Sequence, residues 1–246
     1  MLRNIQIMLE NRRIFKNGSF PDMQSETVTN PSVPQVQRTS VYRITEHMMA
    51  TDTISCVLAN STSRCVALNF ANAMFPGGAY LLGGNAQEEA LCRASLLYYT
   101  IAAQKTYYRR NRLHILPDYT DTLIISHHVP IIRDKDGTLL KTPVLCDFLT
   151  CPAVNRTFAK FLFTPKHCNA VMERRIAKIV QLAVAGNPEI IVFGAFGCGV
   201  FGNKREIVYP LFEQAINRYV PDHIQVVFAD PRAAAPLTHD TEREHT

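Results

Sequence analysis

The chain has 246 residues, 47% of them hydrophobic and 19% charged. That length and balance fit one globular unit, or two small ones, and exclude wholesale disorder and a fibrous repeat. The net charge of +5 is compatible with an anionic ligand but does not demand one.

From the N-terminus, Leu2, Ile5, Ile7, Met8, Leu9 and Ile14 have the spacing of a short amphipathic helix over residues 2–16, with Gly18 as its stop. Residues 19–40 are rich in proline and small polar side chains and read as a loop or linker. A strand is expected at 42–45, then a helix capped by Asp52 across 54–59, then a buried strand at 65–70. Residues 86–103 predict one strong helix that buries Leu91, Ala94, Leu97 and Ile101. Strands follow at 122–126 and 144–149, separated by a turn at 134–137. The last elements are a helix at 169–185 closed by Gly186, a strand at 189–193, a helix at 205–219 and a strand at 224–228. This alternation predicts an α/β unit: a mixed sheet with helices on both faces.

Seven cysteines (Cys56, Cys65, Cys92, Cys146, Cys151, Cys168 and Cys198) form no CxxC pair, and their odd number cannot pair fully. Free thiols in a reducing compartment are the expectation. No apolar run reaches the length of a membrane-spanning helix, and the first residues lack a secretion-signal pattern. The chain therefore reads as soluble and intracellular, cytoplasmic or nuclear.

Chemistry concentrates in two glycine-rich loops. In the first, the buried strand leads through Asn69 and Asn72 to Gly77, Gly78, Gly83 and Gly84, then to Gln87-Glu88-Glu89. Clustered glycines let backbone N–H groups approach an anion. Asn85 is the expected N-cap, with Glu88 three residues on as in a capping box. Adjacent helical residues point about 100° apart, so a single capping role cannot account for both glutamates. A carboxyl beside an anion-binding loop suits acid and base work on a glycosidic bond, its pKa lowered by the helix end and raised by burial. In the second loop, a strand runs into Gly194, Gly197, Gly199 and Gly202 before a helix. That order presents N–H groups to phosphate, but it matches neither the Walker loop nor the dinucleotide fingerprint. Phe201 fits either packing against a sugar or a hydrophobic anchor, and Cys198 reads as a small residue that fits the turn. His127 and His128 are adjacent on a strand, so one core and one surface residue are expected.

In chain order, LNFAN, PGG, QEEALCRAS, SHHVPIIRDKDGTLL, CDFLTCPAVN and FGAFGCGVFGN together resemble the microbial-type poly(ADP-ribose) glycohydrolase family, a macrodomain relative. The resemblance covers nearly the whole chain. It implies a three-layer macrodomain-like unit at 41–232, an N-terminal helical extension and linker at 1–40, and a polar tail at 233–246. The family signature is a triple glycine, a short spacer and Gln-Glu-Glu; here Ala79 stands in the third glycine position. A methyl there can narrow the gap to the diphosphate or restrict the loop to φ below zero, with no cost where the loop has shifted to suit; a functional but slower enzyme is the expectation. By position, Glu89 resembles the family's catalytic carboxyl and Glu88 the neighbour that holds the substrate ribose. Asn69, Asn72, Gly77, Gly78, Ala79 and Gln87 fall on the substrate side of the first loop. Gly197, Cys198, Gly199, Val200 and Phe201 match the diphosphate loop. Phe228, at the end of the last strand, is the candidate for stacking on adenine.

The implied reaction is hydrolysis of ribose–ribose O-glycosidic bonds in poly(ADP-ribose), releasing ADP-ribose by carboxyl acid/base catalysis. The implied partners are the polymer or ADP-ribosylated proteins, with no cofactor, no metal and no membrane. An ADP-ribose reader without turnover, and a hydrolase of mono-ADP-ribosylated protein or nucleic acid, are alternatives. Lys105, Arg109, Arg110 and Arg112, interleaved with two tyrosines, fit either a solvated helix end or a secondary grip on a polyanion.

Overall fold

The computed structural model describes residues 1–233. In chain order the elements are α1 (Leu2–Asn17), β1 (Gln24–Val28), a single 3-10 turn (Ile44–Glu46), β2 (Met48–Met49), α2 (Thr53–Ala59) and β3 (Cys65–Phe70). A second 3-10 turn (Tyr80–Leu82) precedes α3 (Gln87–Ala94), α4 (Leu97–Ala103) and α5 (Lys105–His114). Then come β4 (Leu123–Arg133), β5 (Leu139–Cys151), α6 (Arg156–Ala159), α7 (Pro165–Ala185), β6 (Ile190–Gly194), α8 (Arg205–Tyr219) and β7 (Gln225–Ala229).

Seven strands form one sheet in the order β1-β4-β5-β3-β6-β7-β2. Only β4 runs against the others, pairing antiparallel with β1 and β5. β3 and β6 lie centrally and are buried on both faces, which explains their unbroken apolar sequences. One face packs on α7 and α8 through Ile176, Ile179, Phe212 and Ile216. The other packs on α2 to α5 through Val57, Leu91, Leu97, Ile101 and Tyr107. The expected three-layer α/β architecture is therefore present. All seven cysteines are free, and among the described residues no helix is long and apolar enough to cross a membrane. The expected polar tail lies outside the described residues, apart from residue 233.

Several expectations need correction. Residues 24–28, read as part of a linker, form the edge strand β1. Its sequence, QSETV, carries no apolar alternation because polar bonds hold it: Ser25 donates to Thr100 O, Thr27 to Gln104 Oε1, and Gln104 Nε2 to Ser25 O. Residues 42–45 are not a strand. The N–H groups of Tyr42 and Ile44 donate to Asn217 Oδ1 and Glu213 Oε1 on α8 instead of to a ladder. The single helix expected at 86–103 is two, broken where Ser95 bridges to Ile131 and Leu96 N donates to Pro130 O. β4 and β5 are longer than expected, as is α7, and the short α6 was not anticipated. His127 and His128 do not split between core and surface. A register shift between Ser126 and Val129 breaks the alternation, and Asp147 holds both residues, accepting from His128 N and pairing with His127 Nδ1 at 2.8 Å.

The N-terminal helix docks on the α/β unit. Asn11 Nδ2 donates to Arg93 O at the end of α3, and Arg133 bridges Asn11 and Glu10. Asn4 Nδ2 reaches Gly83 O in the loop before α3.

Candidate active site

The first loop hangs between α2 and β3 on one side and α3 on the other. Asp52 caps α2 by accepting from Ser55 N, as expected. Gln87 Nε2 donates to Thr53 Oγ1 on α2 and to Leu68 O on β3, while its Oε1 accepts from Phe70 N. The Gln87 amide thus clamps the first turn of α3 to the strand end, and protein partners occupy both its ends. Asn85 is not the N-cap. Ala86 holds that position without a side-chain bond, and Asn85 Oδ1 accepts from Arg93 Nη2.

This clamp brings Glu88 and Glu89 to the mouth of a cleft, where they are 3% and 7% exposed. Glu88 is fully engaged: Oε1 accepts from Asn69 Nδ2 at 3.2 Å and Oε2 from Asn72 N at 2.7 Å. Burial pushes its carboxyl up to about 8 against those bonds, and the neighbouring charge of Glu89 adds to the rise. Glu89 Oε1 accepts from Ala79 N at 2.8 Å, whereas its buried Oε2 has no partner among the described residues. Asn69 Oδ1 is likewise unpartnered, and its amide also donates to Thr150 on β5. Asn72 turns its side chain back on the loop, where Oδ1 accepts from Met74 N and Phe75 N.

Gly78 lies against both carboxylates. A Cβ built there would lie 2.6 Å from Glu89 Oε1 and 3.2 Å from Glu88 Oε2, and its φ of +55° already disfavours a side chain. Ala79 differs. Its φ of −93° is ordinary, and its methyl faces Gly84 instead of the cleft. The expectation that Ala79 narrows the site is therefore corrected: Gly84 leaves the room that the methyl needs.

The second loop leaves β6 at Gly194 and is fixed from behind. Asn203 Nδ2 donates to Val154 O and Gly197 O, Arg156 Nε donates to Asn203 Oδ1, and Thr157 Oγ1 donates to Val200 O. The glycine this geometry demands is Gly197. Its φ is +71°, and an added Cβ would strike Ala153 Cβ. Gly199 has no left-handed φ and nothing within 4 Å of an added Cβ. It lines the cleft.

The cleft is about 410 Å³. Asn72, Gln87, Glu88 and Glu89 line one side, and Gly197, Gly199, Val200 and Phe201 the other. Asn69 lies behind Glu88, and Gly77, Gly78 and Ala79 back the carboxylates without lining the cleft. Cys198 is half-buried and donates to Phe196 O, and burial pushes its thiol up to about 11. Phe228 is a correction. It is 0% exposed, with its ring against Phe193, Phe212 and Tyr209 in the core, so no face is left for adenine.

Phe70, Ala71, Ala86, Ala153 and Arg232 also line the cleft and were not anticipated. Arg232 follows Asp230, which accepts from Arg232 N and from both Arg205 and Tyr209. Burial opposes ionisation of Asp230, yet these bonds outweigh it and hold its carboxyl near 2. The only hint in the sequence is the charged pair in FADPR after the last strand.

The family model "Microbial-type PARG, catalytic domain" matches residues 2–134, which include both glutamates and the loop that holds them. A Thermomonospora curvata poly(ADP-ribose) glycohydrolase bound to the inhibitor ADP-HPD is 27% identical, with a TM-score of 0.80 over 96% of each chain. A Deinococcus radiodurans poly(ADP-ribose) glycohydrolase in complex with ADP-ribose is 34% identical, with a TM-score of 0.68 over 74% of this chain and 75% of that one. No curated protein sequence matches. The family match spans more than half of the chain and the likeness of fold extends over nearly all of it, so the chain belongs to the microbial-type poly(ADP-ribose) glycohydrolase family.

Proposed function

We propose that this chain hydrolyses ribose–ribose O-glycosidic bonds of poly(ADP-ribose), with Glu89 protonating the leaving 2′ oxygen. The observation that carries this reading is the unpartnered Oε2 of Glu89, buried at the cleft mouth beside a carboxyl that is itself fully bonded. Burial raises the Glu88 carboxyl to about 8, so the neighbour of Glu89 holds a proton near neutral pH and adds little repulsion at the acid's position. As the glycosidic bond breaks, the ribose carbon gains oxocarbenium character. A carboxylate on Glu89 then stabilises that cation and takes a proton from the attacking water. Glu88, held rigid by Asn69 and Asn72, orients the ribose hydroxyls. The cleft side formed by Gly197, Gly199 and Phe201 receives the diphosphate and the distal ribose, its backbone amides serving as donors. The two structural relatives above carry ADP-HPD and ADP-ribose, which supports ADP-ribose as the unit bound here.

The test is Glu89→Gln assayed on automodified polymer, with ADP-ribose binding measured by calorimetry. Polymer turnover should fall by a factor on the order of 10² or more while binding persists. Turnover near that of the unsubstituted protein would remove Glu89 from the mechanism. Binding without any release, in the unsubstituted protein, would make the chain a reader.

A further inference from the structure

The basic segment is not the tail of the catalytic helix. It is a separate helix, α5. Its inner face is buried through Tyr107, Tyr108 and Asn111. Its outer face carries Lys105, Arg109 and Arg112. At 100° per residue these three fall within about 60° of arc and span about 10 Å along the axis. Arg110 points aside and donates to Thr29 Oγ1.

Favourable interaction with the helix dipole accounts for Arg112 in the last turn but not for the whole stripe. Lys105 opens the helix, where a cation is unfavourable, and the first turn holds no acidic residue. Among the described residues, none of Lys105, Arg109, Arg110 and Arg112 takes part in an ion pair, although twelve such pairs occur elsewhere. The stripe also touches the site: Arg112 Nη1 donates to Met74 O at 3.4 Å, in the loop whose Asn72 N holds Glu88. The next residue, Phe75, is 60% exposed and presents a free aromatic face beside the residue that Arg112 touches.

We infer that Lys105, Arg109 and Arg112, with Phe75, form a subsite for the polymer chain beyond the unit seated in the cleft. This rests on the function proposed above. A polymer of ADP-ribose repeats a diphosphate and an adenine in every unit. A cationic stripe matches the first and an exposed ring the second. The subsite lies on the glutamate-loop side, where the remainder of the chain leaves once the terminal unit is bound.

The test uses Lys105→Gln/Arg109→Gln. Both side chains are exposed and unbonded, and Arg112 is spared because it touches the glutamate loop. With long polymer, KM should rise about tenfold with kcat unchanged, while ADP-ribose affinity by calorimetry stays the same. The slope of log affinity for polymer against log salt should shrink by about 0.7 for each phosphate no longer neutralised. An unchanged KM and salt slope would overturn the subsite. So would a single-stranded DNA oligonucleotide that binds as tightly as polymer and is equally weakened by the substitutions, since the stripe would then serve nucleic acid. If the unsubstituted protein releases no ADP-ribose, the function proposed above fails, and the same comparison of polymer binding still decides the subsite.

Discussion

The Ala79 methyl fills the space that Gly84 leaves empty: a Cβ on Gly84 would lie 2.7 Å from Ala79 Cβ. The two residues also share a backbone bond from Gly84 N to Ala79 O at 2.9 Å. The departure from a triple glycine is thus matched locally, at a distance of five residues along the chain. Gly84→Ala should therefore cost about 1–3 kcal/mol through overpacking. Ala79→Gly should recover part of that loss in the double variant, a coupling that a double-mutant cycle by denaturant unfolding measures. Ala79→Gly alone should leave polymer turnover within about twofold. A larger gain would mean that the methyl does obstruct the site.

Gly78→Ala should disable the protein more than its position in a loop suggests. A side chain at positive φ costs about 1–2 kcal/mol, and the added methyl would collide with Glu89 Oε1. Turnover should fall by two orders of magnitude or more as Glu89 is displaced, with a modest drop in Tm. Retained turnover would show that the loop can move away from the carboxylates at no cost to the reaction.

The second loop separates backbone demand from ligand space. Gly199→Val adds bulk where nothing opposes it, so Tm should hold while ADP-ribose affinity falls at least tenfold. Gly197→Ala should instead lower stability, through both its φ and its clash with Ala153. Calorimetry and thermal unfolding on the two variants distinguish these outcomes, and equal ADP-ribose affinity in Gly199→Val would remove the diphosphate assignment.

Glu88 makes stability depend on pH with a definite sign. Its folded pKa of about 8 stands above the ordinary 4.5, so between those values the folded state keeps a proton that the unfolded chain has lost. Its contribution is fully present below about 4.5, declines as pH rises to about 8, and is level above that. Glu88→Gln should flatten this slope, leaving the variant relatively more stable at pH 9 than at pH 5 when each is compared with the unsubstituted protein. Denaturant unfolding across that range is the measurement, and parallel profiles would contradict the raised pKa.

The parts of this fold visible in the sequence are those where one local signal decides. Asp52 caps α2, the unbroken apolar run of β3 marks a central strand, and Glu88 and Glu89 follow a glycine cluster at a helix start. The parts not visible depend on partners far away in sequence. β1 is held by Thr100 and Gln104, and the residues before β2 by Asn217 and Glu213. The break at Ser95 has no glycine or proline to announce it, because the strand edge at Pro130 and Ile131 imposes it. The same holds at the site. The glutamates could be read directly, but the burial of Phe228 and the approach of Arg232 follow from how α8 packs on β7, and no local pattern encodes that.

The N-terminal helix contributes no atom to the cleft, yet it grips the glutamate loop at both ends. Asn4 reaches Gly83 O and Asn11 reaches Arg93 O, while Arg93 turns back to Gly84 O. Local opening of one cannot proceed without loosening the other, so α1 and the segment from Ala79 to Arg93 form one cooperative unit for amide hydrogen exchange. A ligand that steadies the carboxylates will therefore slow exchange in a helix it never touches.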